Sequence, residues 1–333
     1  MRALLSKSAG GPETLVLEEI ADPVPESGQV VVQVEACSIN YPDGLMIRDL
    51  YQFRPERPYS PGSEIAGVVR AVGNAASGWK TGDRVIAMIG HGGLAEQVAV
   101  ECDRLFRIPD GVSFEEAAAL LMTYGTSYHG LHDRGHISPG QTLLILGAAG
   151  GVGLSAIELG KLSGARVVAA VSSEEKAAIA REAGADETLV YPRAPFDKAT
   201  SKDLAARFKQ VVGPEGADII YDIAGGDYSE PALRSIAWEG RFLVVGFPAG
   251  IANIPLNLPL LKSCDICGVF WGGFMEHDAG NFRAQVDELL QMLQEGKIRP
   301  RISGLFPLER AADAITQLEE RMATGKLVVT MNG

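Results

Sequence analysis

A glycine-rich turn between two apolar runs restricts the fold of this chain more than any other feature. Residues 143–146 are all apolar, as in a strand buried on both faces, and glycines follow at positions 147, 150, 151 and 153. A helix over 152–162 and a second strand over 166–171 are predicted next. In this order, the turn and the unpaired amide groups of the helix start bind a pyrophosphate. The segment therefore predicts a dinucleotide-binding unit. The contacts expected in the turn are Ala149, Gly150, Gly151 and Val152.

The end of the second strand predicts which dinucleotide is bound. An NAD-binding protein places an Asp or Glu there, against the ribose 2'-hydroxyl. This chain has Ser172 and Ser173 instead, followed by Lys176. Hydroxyls and an ammonium group bind a 2'-phosphate, which a carboxylate would repel. We therefore predict NADPH/NADP as the cofactor rather than NADH. The alternative is that Ser172 caps the next helix, with Glu175 as its capping-box partner.

The charge of the chain argues against two classes of partner. Its formal net charge is −12 over 333 residues, and no block of Lys or Arg occurs. Nucleic acid and anionic membranes are therefore not expected as partners. The first residues lack the long apolar region of a signal peptide, and no stretch reaches membrane-spanning length. We expect a cytoplasmic protein that acts on a small molecule.

The cysteines and histidines do not predict a metal site. The pair Cys264 and Cys267 lies in an apolar run that reads as a strand, where residues three apart point to opposite faces. His129, His132 and His136 form a cluster, but no acidic or cysteine partner accompanies them at a recognised metal-ligand spacing. The expectation is that no metal is bound.

The order of elements predicts an α/β protein with two domains. Short apolar or alternating runs dominate the first hundred residues and indicate a compact, mostly antiparallel β domain. From residue 142 strands and helices alternate, as in a doubly wound parallel sheet of the Rossmann type. The last helices and strands cannot bury their own apolar faces and are expected to return to the first domain. We predict a discontinuous catalytic domain over 1–121 and 297–333, and a dinucleotide-binding domain over 122–296.

This arrangement resembles the medium-chain dehydrogenase/reductase superfamily, and within it the zinc-independent quinone oxidoreductase branch, which is similar to zeta-crystallin. The implied catalytic domain has the GroES-like fold. The resemblance covers essentially the whole chain. The segments that carry it are Asn40–Asp43 with Tyr51, Pro61–Gly67, Thr123–Thr126, Gly147–Gly153, Asp222–Gly226, Val245–Phe247 and Gly268–Trp271.

This chain differs from the zinc-bearing members of the superfamily at the positions of their zinc ligands. Those relatives have a cysteine where this chain has Asn40 and a histidine where it has Ser63. A tetrahedral catalytic zinc needs three protein ligands, and two of the expected three are missing. Without that Lewis acid, alcohol dehydrogenase activity is not expected.

The resemblance also implies roles for individual residues. Asn40 should lie beside the nicotinamide and ribose, and Tyr51 near the acceptor, where its phenol hydrogen-bonds the developing oxyanion or enolate. The alternative for Tyr51 is packing in a surface loop. The resemblance places Thr126 at the nicotinamide-side phosphate or ribose, and Tyr191 beside the 2'-phosphate with Ser172 and Lys176. Lys326 is implied as a cofactor contact from the returning tail. The residues implied to border the nicotinamide half are Gly246, Phe247, Phe270 and Trp271. For Phe270 and Trp271 a place in the core is an equal alternative. The apolar strand from Cys264 to Val269 is expected to be the edge of a homodimer.

Three functions remain open from the sequence. The leading hypothesis is hydride transfer from NADPH to a quinone. The second is reduction of a carbon–carbon double bond in enals, enones or enoyl thioesters, which uses the same hydride geometry. The third is a non-catalytic NADPH-binding protein, because a fold does not fix an activity.

Overall fold

The computed structural model describes residues 1–331, which divide into two compact units. The discontinuous unit contains Met1–Met122 and the chain from Val286 onward, and the central unit is Thr123–Gln285. The second boundary lies inside a helix, eleven residues before the expected position at 297. The strands are β1 (Arg2–Leu5), β2 (Val16–Glu19), β3 (Gln29–Ile39), β4 (Glu64–Val72), β5 (Arg84–Met88), β6 (Gln97–Glu101), β7 (Leu105–Arg107), β8 (Thr142–Leu146), β9 (Arg166–Val171), β10 (Glu187–Val190), β11 (Ala217–Asp222), β12 (Ile236–Val244), β13 (Asp265–Gly268), β14 (Ile302–Pro307) and β15 (Lys326–Thr330).

The helices lie mostly in the central unit. They are α1 (Tyr41–Ile47), α2 (Phe114–Ala118), α3 (Thr126–Tyr128), α4 (Gly151–Leu162), α5 (Glu174–Glu182), α6 (Lys198–Val212), α7 (Ser229–Leu233), α8 (Asn257–Lys262), α9 (Trp271–His277), α10 (Ala279–Gln294) and α11 (Ala311–Glu319). Wide π-helical turns flank α3 on both sides. Within residues 1–331, every helix is too short or too polar to cross a bilayer.

The central unit is built on a parallel sheet of six strands in the order β10-β9-β8-β11-β12-β13. Because the strand order reverses beside β8, right-handed crossovers place helices on both faces. Leu144 and Val168 are fully buried, as is Ile220 on the neighbouring strand. The predicted doubly wound sheet is confirmed, and its reversal point lies next to the glycine turn.

The discontinuous unit is built on a mixed sheet of seven strands. Its main order is β14-β15-β3-β4-β5-β7, and β6 also pairs with β3. The pairs are antiparallel except for β14 with β15. Apolar residues of the returning tail, such as Leu308 and Ile315, belong to the same core as Val34 and Ile65. The expectation that the tail completes the first domain's core therefore agrees with the packing.

The structure differs from the sequence predictions at three places. Helix α1 was not predicted, because Pro42 and Gly44 interrupt its pattern; it forms because Asn40 and Asp43 make a capping box. Strand β13 covers Asp265–Gly268, so the strand predicted from Cys264 to Val269 is one residue too long at each end, and Trp271 starts a helix. Helix α10 begins at Ala279, six residues before Gln285, where the sequence pattern predicts its start.

Candidate functional site

The glycine turn follows β8 in the central unit. Gly147 has φ +77°, a conformation that favours glycine, and Gly150 is the N-cap of α4 without a side-chain cap. A Cβ atom at Gly153 would lie 2.6 Å from the backbone of Ala148, so only glycine fits there. The amide groups at the start of α4 therefore have no side-chain acceptor at the cap, which is the arrangement that binds an anionic phosphate.

Buried hydroxyl groups hold the start of α4 in place. The Oγ atoms of Ser127 and Ser155 are 2.8 Å apart, and they lie 3.0 Å and 2.9 Å from the carbonyl oxygen of Val152. The phenol of Tyr221, on the adjacent β11, donates to Ser127 Oγ at 3.2 Å. All three side chains are fully buried. This network fixes the position of the start of α4, and no motif in the sequence marks it.

Of the two serines that follow β9, Ser172 is exposed to solvent and Ser173 caps helix α5. Ser173 is the N-cap of α5 and accepts a hydrogen bond from the Lys176 amide at 3.3 Å. The alternative that Ser172 is the cap, with Glu175 as its partner, is therefore wrong. Ser172 is exposed, and Lys176 is half-buried. Tyr191 is buried, with its ring 4.6 Å from the Tyr228 ring, so most of its side chain packs in the core.

The residues expected on the nicotinamide side differ in their exposure to solvent. Thr126 and Gly246 are half-buried, and Phe247 and Phe270 are 47% and 58% exposed. Trp271, in contrast, is buried and packs so closely on Gly125 that a Cβ atom there would lie 2.4 Å from the indole. Of the two aromatic residues left open by the sequence, Trp271 lies in the core and Phe270 on the surface.

Asp222 shapes the turn at the end of β11, next to the glycine turn. Its carboxylate accepts hydrogen bonds from the amides of Ala224 and Gly225 at 3.0 and 2.8 Å, and from the Ser229 hydroxyl. Burial raises its pKa, and these hydrogen bonds oppose that rise. The carboxylate thus acts as a structural acceptor at the reversal point of the sheet.

Lys326, Glu64 and Asn40 form a buried polar cluster in the discontinuous unit. Lys326 Nζ donates to Asn40 Oδ1 at 2.6 Å and lies 3.4 Å from Glu64 Oε2. Asn40 Nδ2 lies 3.2 Å from the same carboxylate oxygen, and Ser38 Oγ donates to it at 2.5 Å. The Met122 amide donates to Glu64 Oε1 at 3.0 Å. The amide of Asn40 therefore has protein partners at both its oxygen and its nitrogen.

Two polar atoms beside this ion pair lack partners. Asp43 Oδ2 accepts the Asn40 amide at 2.7 Å, but Asp43 Oδ1 and Ser63 Oγ are buried with no hydrogen-bond partner among residues 1–331. Burial raises the pKa of Asp43 to about 7, and the hydrogen bond from Asn40 and the charge of Lys326 oppose that rise.

Tyr51 lies between α1 and β4 in the same unit and is half-buried. Its pKa is raised, mainly by burial and further by the charge of Asp43. Because the pKa moves up, the phenol stays protonated at neutral pH and is a hydrogen-bond donor. This protonation state agrees with a role in orienting an oxygen atom.

These residues do not fit a catalytic zinc. Asn40 and Ser63 are poor zinc ligands, and the Lys326 ammonium already supplies the positive charge beside Glu64. No group of three or more potential metal ligands occurs within residues 1–331. His129 pairs instead with Asp133 at 2.7 Å, and the four cysteines are free.

Comparison with known proteins identifies the family. The model of an alcohol dehydrogenase GroES-like domain matches residues 26–110, and that of a zinc-binding dehydrogenase matches residues 151–295. Quinone oxidoreductase-like protein 2 of Bos taurus is 38% identical over 319 residues, which cover 95% of this chain and 89% of that protein. The chain belongs to the medium-chain dehydrogenase/reductase superfamily, in its quinone oxidoreductase branch, and is an oxidoreductase of the medium-chain dehydrogenase/reductase type.

Solved structures agree with this assignment. A quinone oxidoreductase of Pseudomonas syringae pv. Tomato DC3000 is 31% identical with a TM-score of 0.88, and each chain is covered to 99%. A quinone oxidoreductase of Escherichia coli complexed with NADPH is 27% identical with a TM-score of 0.90, covering 99% of this chain and all of that one. The predicted family and its GroES-like fold are thus confirmed.

Replacing Lys326 by methionine is expected to lower the free energy of unfolding by about 3 to 5 kcal/mol, because Glu64 is left as an unpaired buried charge. The double variant Lys326→Met with Glu64→Gln should lose clearly less, since the charge is removed as well. Urea unfolding followed by circular dichroism measures both. The control is Lys7→Met, which breaks a surface pair with Glu18 at 2.6 Å and should cost under about 1 kcal/mol. Equal losses in the two Lys326 variants would contradict a buried ion pair.

Proposed function

We propose that this protein is a zinc-independent oxidoreductase that transfers hydride from NADPH to a quinone. The observation that carries the cofactor preference is the exposed Ser172 at the end of β9, beside a helix that Ser173 caps. No carboxylate stands at the first position after that strand, so a 2'-phosphate meets hydroxyl groups and the nearby Lys176. The NADPH complex of the Escherichia coli relative supports the same preference.

The chain's own residues bind and orient the reactants in this proposal. NADPH supplies the hydride. The amides at the start of α4 bind its pyrophosphate, and the hydroxyl network of Ser127, Ser155 and Tyr221 keeps that helix start fixed. The Tyr51 phenol donates a hydrogen bond to the acceptor oxygen as negative charge develops on it. Asn40, held by Lys326 and Glu64, forms part of the fixed polar surface near the acceptor.

The proposed activity is tested by following NADPH oxidation at 340 nm with a panel of quinones, enals, enones and enoyl thioesters. We expect the highest kcat/KM with quinones, since hydride transfer to them needs only positioning and hydrogen bonding. A preference for enones or enoyl thioesters would favour the second function. Tight NADPH binding without oxidation by any acceptor would favour a non-catalytic protein.

Replacing Ser172 by aspartate is expected to weaken NADPH binding by about tenfold or more, because a carboxylate repels the 2'-phosphate and is favourable only to a free ribose hydroxyl. NADH binding should be unchanged or tighter. Fluorescence titration of both reduced cofactors measures the two dissociation constants. Ser201→Asp adds the same charge on α6 and serves as the control. Parallel changes for both cofactors would contradict a role for Ser172 in the preference.

Replacing Tyr51 by phenylalanine is expected to lower kcat by about tenfold, as for the loss of one hydrogen bond to a developing charge, with the NADPH dissociation constant unchanged. Steady-state kinetics and cofactor titration check the two parts separately. Tyr41→Phe, at a 41% exposed position on α1, is the matched control. Unchanged kinetics in Tyr51→Phe would leave the residue a packing role only.

We further propose that two copies of the chain associate through strand β13. Within the described residues this strand pairs only with β12, so its other edge is open. Ile266 on the strand is 41% exposed, and Leu260 and Leu261 on the preceding helix are 78% and 65% exposed. An open strand edge beside apolar side chains favours pairing with a second sheet.

Sedimentation velocity is expected to give a dimer for the protein and a monomer for Ile266→Lys, because a charge on the paired edge is desolvated without a partner. The control is Leu305→Lys, which adds the same charge to β14, an edge strand of the other sheet where Leu305 is 59% exposed. A monomeric protein at micromolar concentration, or a dimer that survives in Ile266→Lys, would contradict this interface.

A further inference from the structure

A cleft of about 790 Å³ occurs in the central unit, away from the residues assigned to the cofactor. It is lined by one face of α6, by residues between Gly226 and Arg234, and by Ile251 and Asn253 of the loop that follows β12. Its volume is in the range of small-molecule binding sites. None of the residues that the sequence analysis assigns to the cofactor lines it. The cleft is therefore a candidate site for a second ligand.

Backbone contacts fix the loops at one end of the cleft. The Phe196 amide donates to Asp227 Oδ2 at 3.0 Å, and the Gly226 amide donates to the Gly250 carbonyl at 2.7 Å. Gly226 has φ +57°, and a Cβ atom there would lie 2.4 Å from the Ala249 carbonyl oxygen, so only glycine fits. Three segments of the chain are thus held against one another at this end.

The same end of the cleft offers an aromatic ring and an exposed aliphatic side chain. The Phe196 ring is half-buried and meets the Tyr228 ring edge-on, with centroids 5.0 Å apart and an interplanar angle of 89°. Ile251 is 80% exposed and gains from being covered by an apolar group. The exposed Asp227 carboxylate can also accept hydrogen bonds from hydroxyl groups. A planar ring that carries a sugar matches this combination.

Four basic side chains line the cleft as well. Lys198, Lys202 and Lys209 lie on one stripe of α6, because spacings of four and seven residues correspond to about one and two helical turns. All three are exposed, and none forms an ion pair within residues 1–331. Arg234, in contrast, donates to Glu230 from Nε and Nη2 at 3.1 and 2.5 Å. Three unpaired ammonium groups in one cleft favour an anionic ligand.

The charge of the lining residues changes along the cleft. Asp197 caps α6 and accepts the amide three residues later at 2.7 Å, so this carboxylate is engaged at the start of the helix. Lys202 and Lys209 are further along and lie about 10 Å apart parallel to the helix axis. Their long side chains can converge on phosphate groups placed between them. The cleft therefore has an apolar and acidic end and a basic end.

We propose that this cleft binds a nucleoside triphosphate, at a site separate from that of the cofactor. The base lies against Phe196 and Ile251, and the ribose hydroxyls donate to Asp227. The phosphates lie along Lys202 and Lys209. The inference does not rest on the proposed hydride transfer, because it requires neither a reduced cofactor nor an acceptor. A free phosphate would use only the basic end, whereas a nucleotide uses both ends of the cleft.

Calorimetric titration of ATP into the full chain saturated with NADPH tests the site, because NADPH keeps ATP out of the cofactor site. The double variant Lys202→Gln with Lys209→Gln is expected to raise the ATP dissociation constant by about tenfold or more, as for the loss of charge-assisted hydrogen bonds. Ala206→Glu, at an exposed position of the cleft, should do the same by repulsion. Its size-matched control, Ala206→Gln, should change this constant less than about twofold. The NADPH dissociation constant should stay within about twofold in every variant.

Inorganic triphosphate separates recognition of a nucleotide from recognition of phosphate alone. ATP is expected to bind about tenfold more tightly than triphosphate, as for one base placed on an aromatic ring. Ile251→Ala, at a position whose exposure makes unfolding no concern, should weaken ATP binding and leave triphosphate binding unchanged. Equal affinities for the two ligands would overturn the nucleotide assignment. Absence of ATP binding, equal effects of Ala206→Glu and Ala206→Gln, or a parallel loss of NADPH binding would overturn the separate site.

Discussion

The polar interior of the discontinuous unit depends on the ion pair between the buried Lys326 ammonium group and the Glu64 carboxylate. Lys326 Nζ lies 2.6 Å from the Asn40 oxygen and 3.4 Å from the Glu64 carboxylate. Without a cation, a fully buried Glu64 would be strongly unfavourable, and the Asn40 amide would lose the partner that fixes its orientation. The Lys326 side chain therefore supplies the positive charge that balances the buried Glu64 carboxylate. An ammonium group balances charge but does not polarise an alcohol as a Lewis acid does, which agrees with hydride transfer to an already electron-poor acceptor.

In each unit, hydrogen bonds within the protein fix the positions of polar groups. In the central unit, buried hydroxyls fix the start of α4, and Asp222 shapes the turn beside it. In the discontinuous unit, capping of α1 by Asn40 and Asp43 ties the helix to the buried ion pair. Both devices place polar groups before any ligand arrives, so little ordering remains to be done on binding. In the proposed reaction, hydride transfer would then depend on the positions of the bound reactants rather than on a reactive side chain.

The fold was predictable because its signals are local. The apolar runs of β8, β9 and β11 and the glycine turn are contiguous in sequence, so periodicity and turn residues were sufficient. The candidate site was less predictable, since its contacts join distant segments. The family resemblance implied a cofactor contact for Lys326, and only the structure shows that it pairs with Asn40 and Glu64. Helix α1 was missed because its capping box outweighs the low helix propensity of proline and glycine.

The distance along the chain between the members of the buried ion pair has a consequence for biosynthesis. Glu64 and Lys326 are separated by 262 positions. While the ribosome is still translating the central unit, the Glu64 carboxylate has no cation to enter the interior with, so the nascent N-terminal sheet must keep that region hydrated and open. The parallel sheet, whose strands are contiguous, can be completed earlier. Vectorial synthesis therefore favours an order in which the middle of the polypeptide matures first and the N-terminal portion closes last.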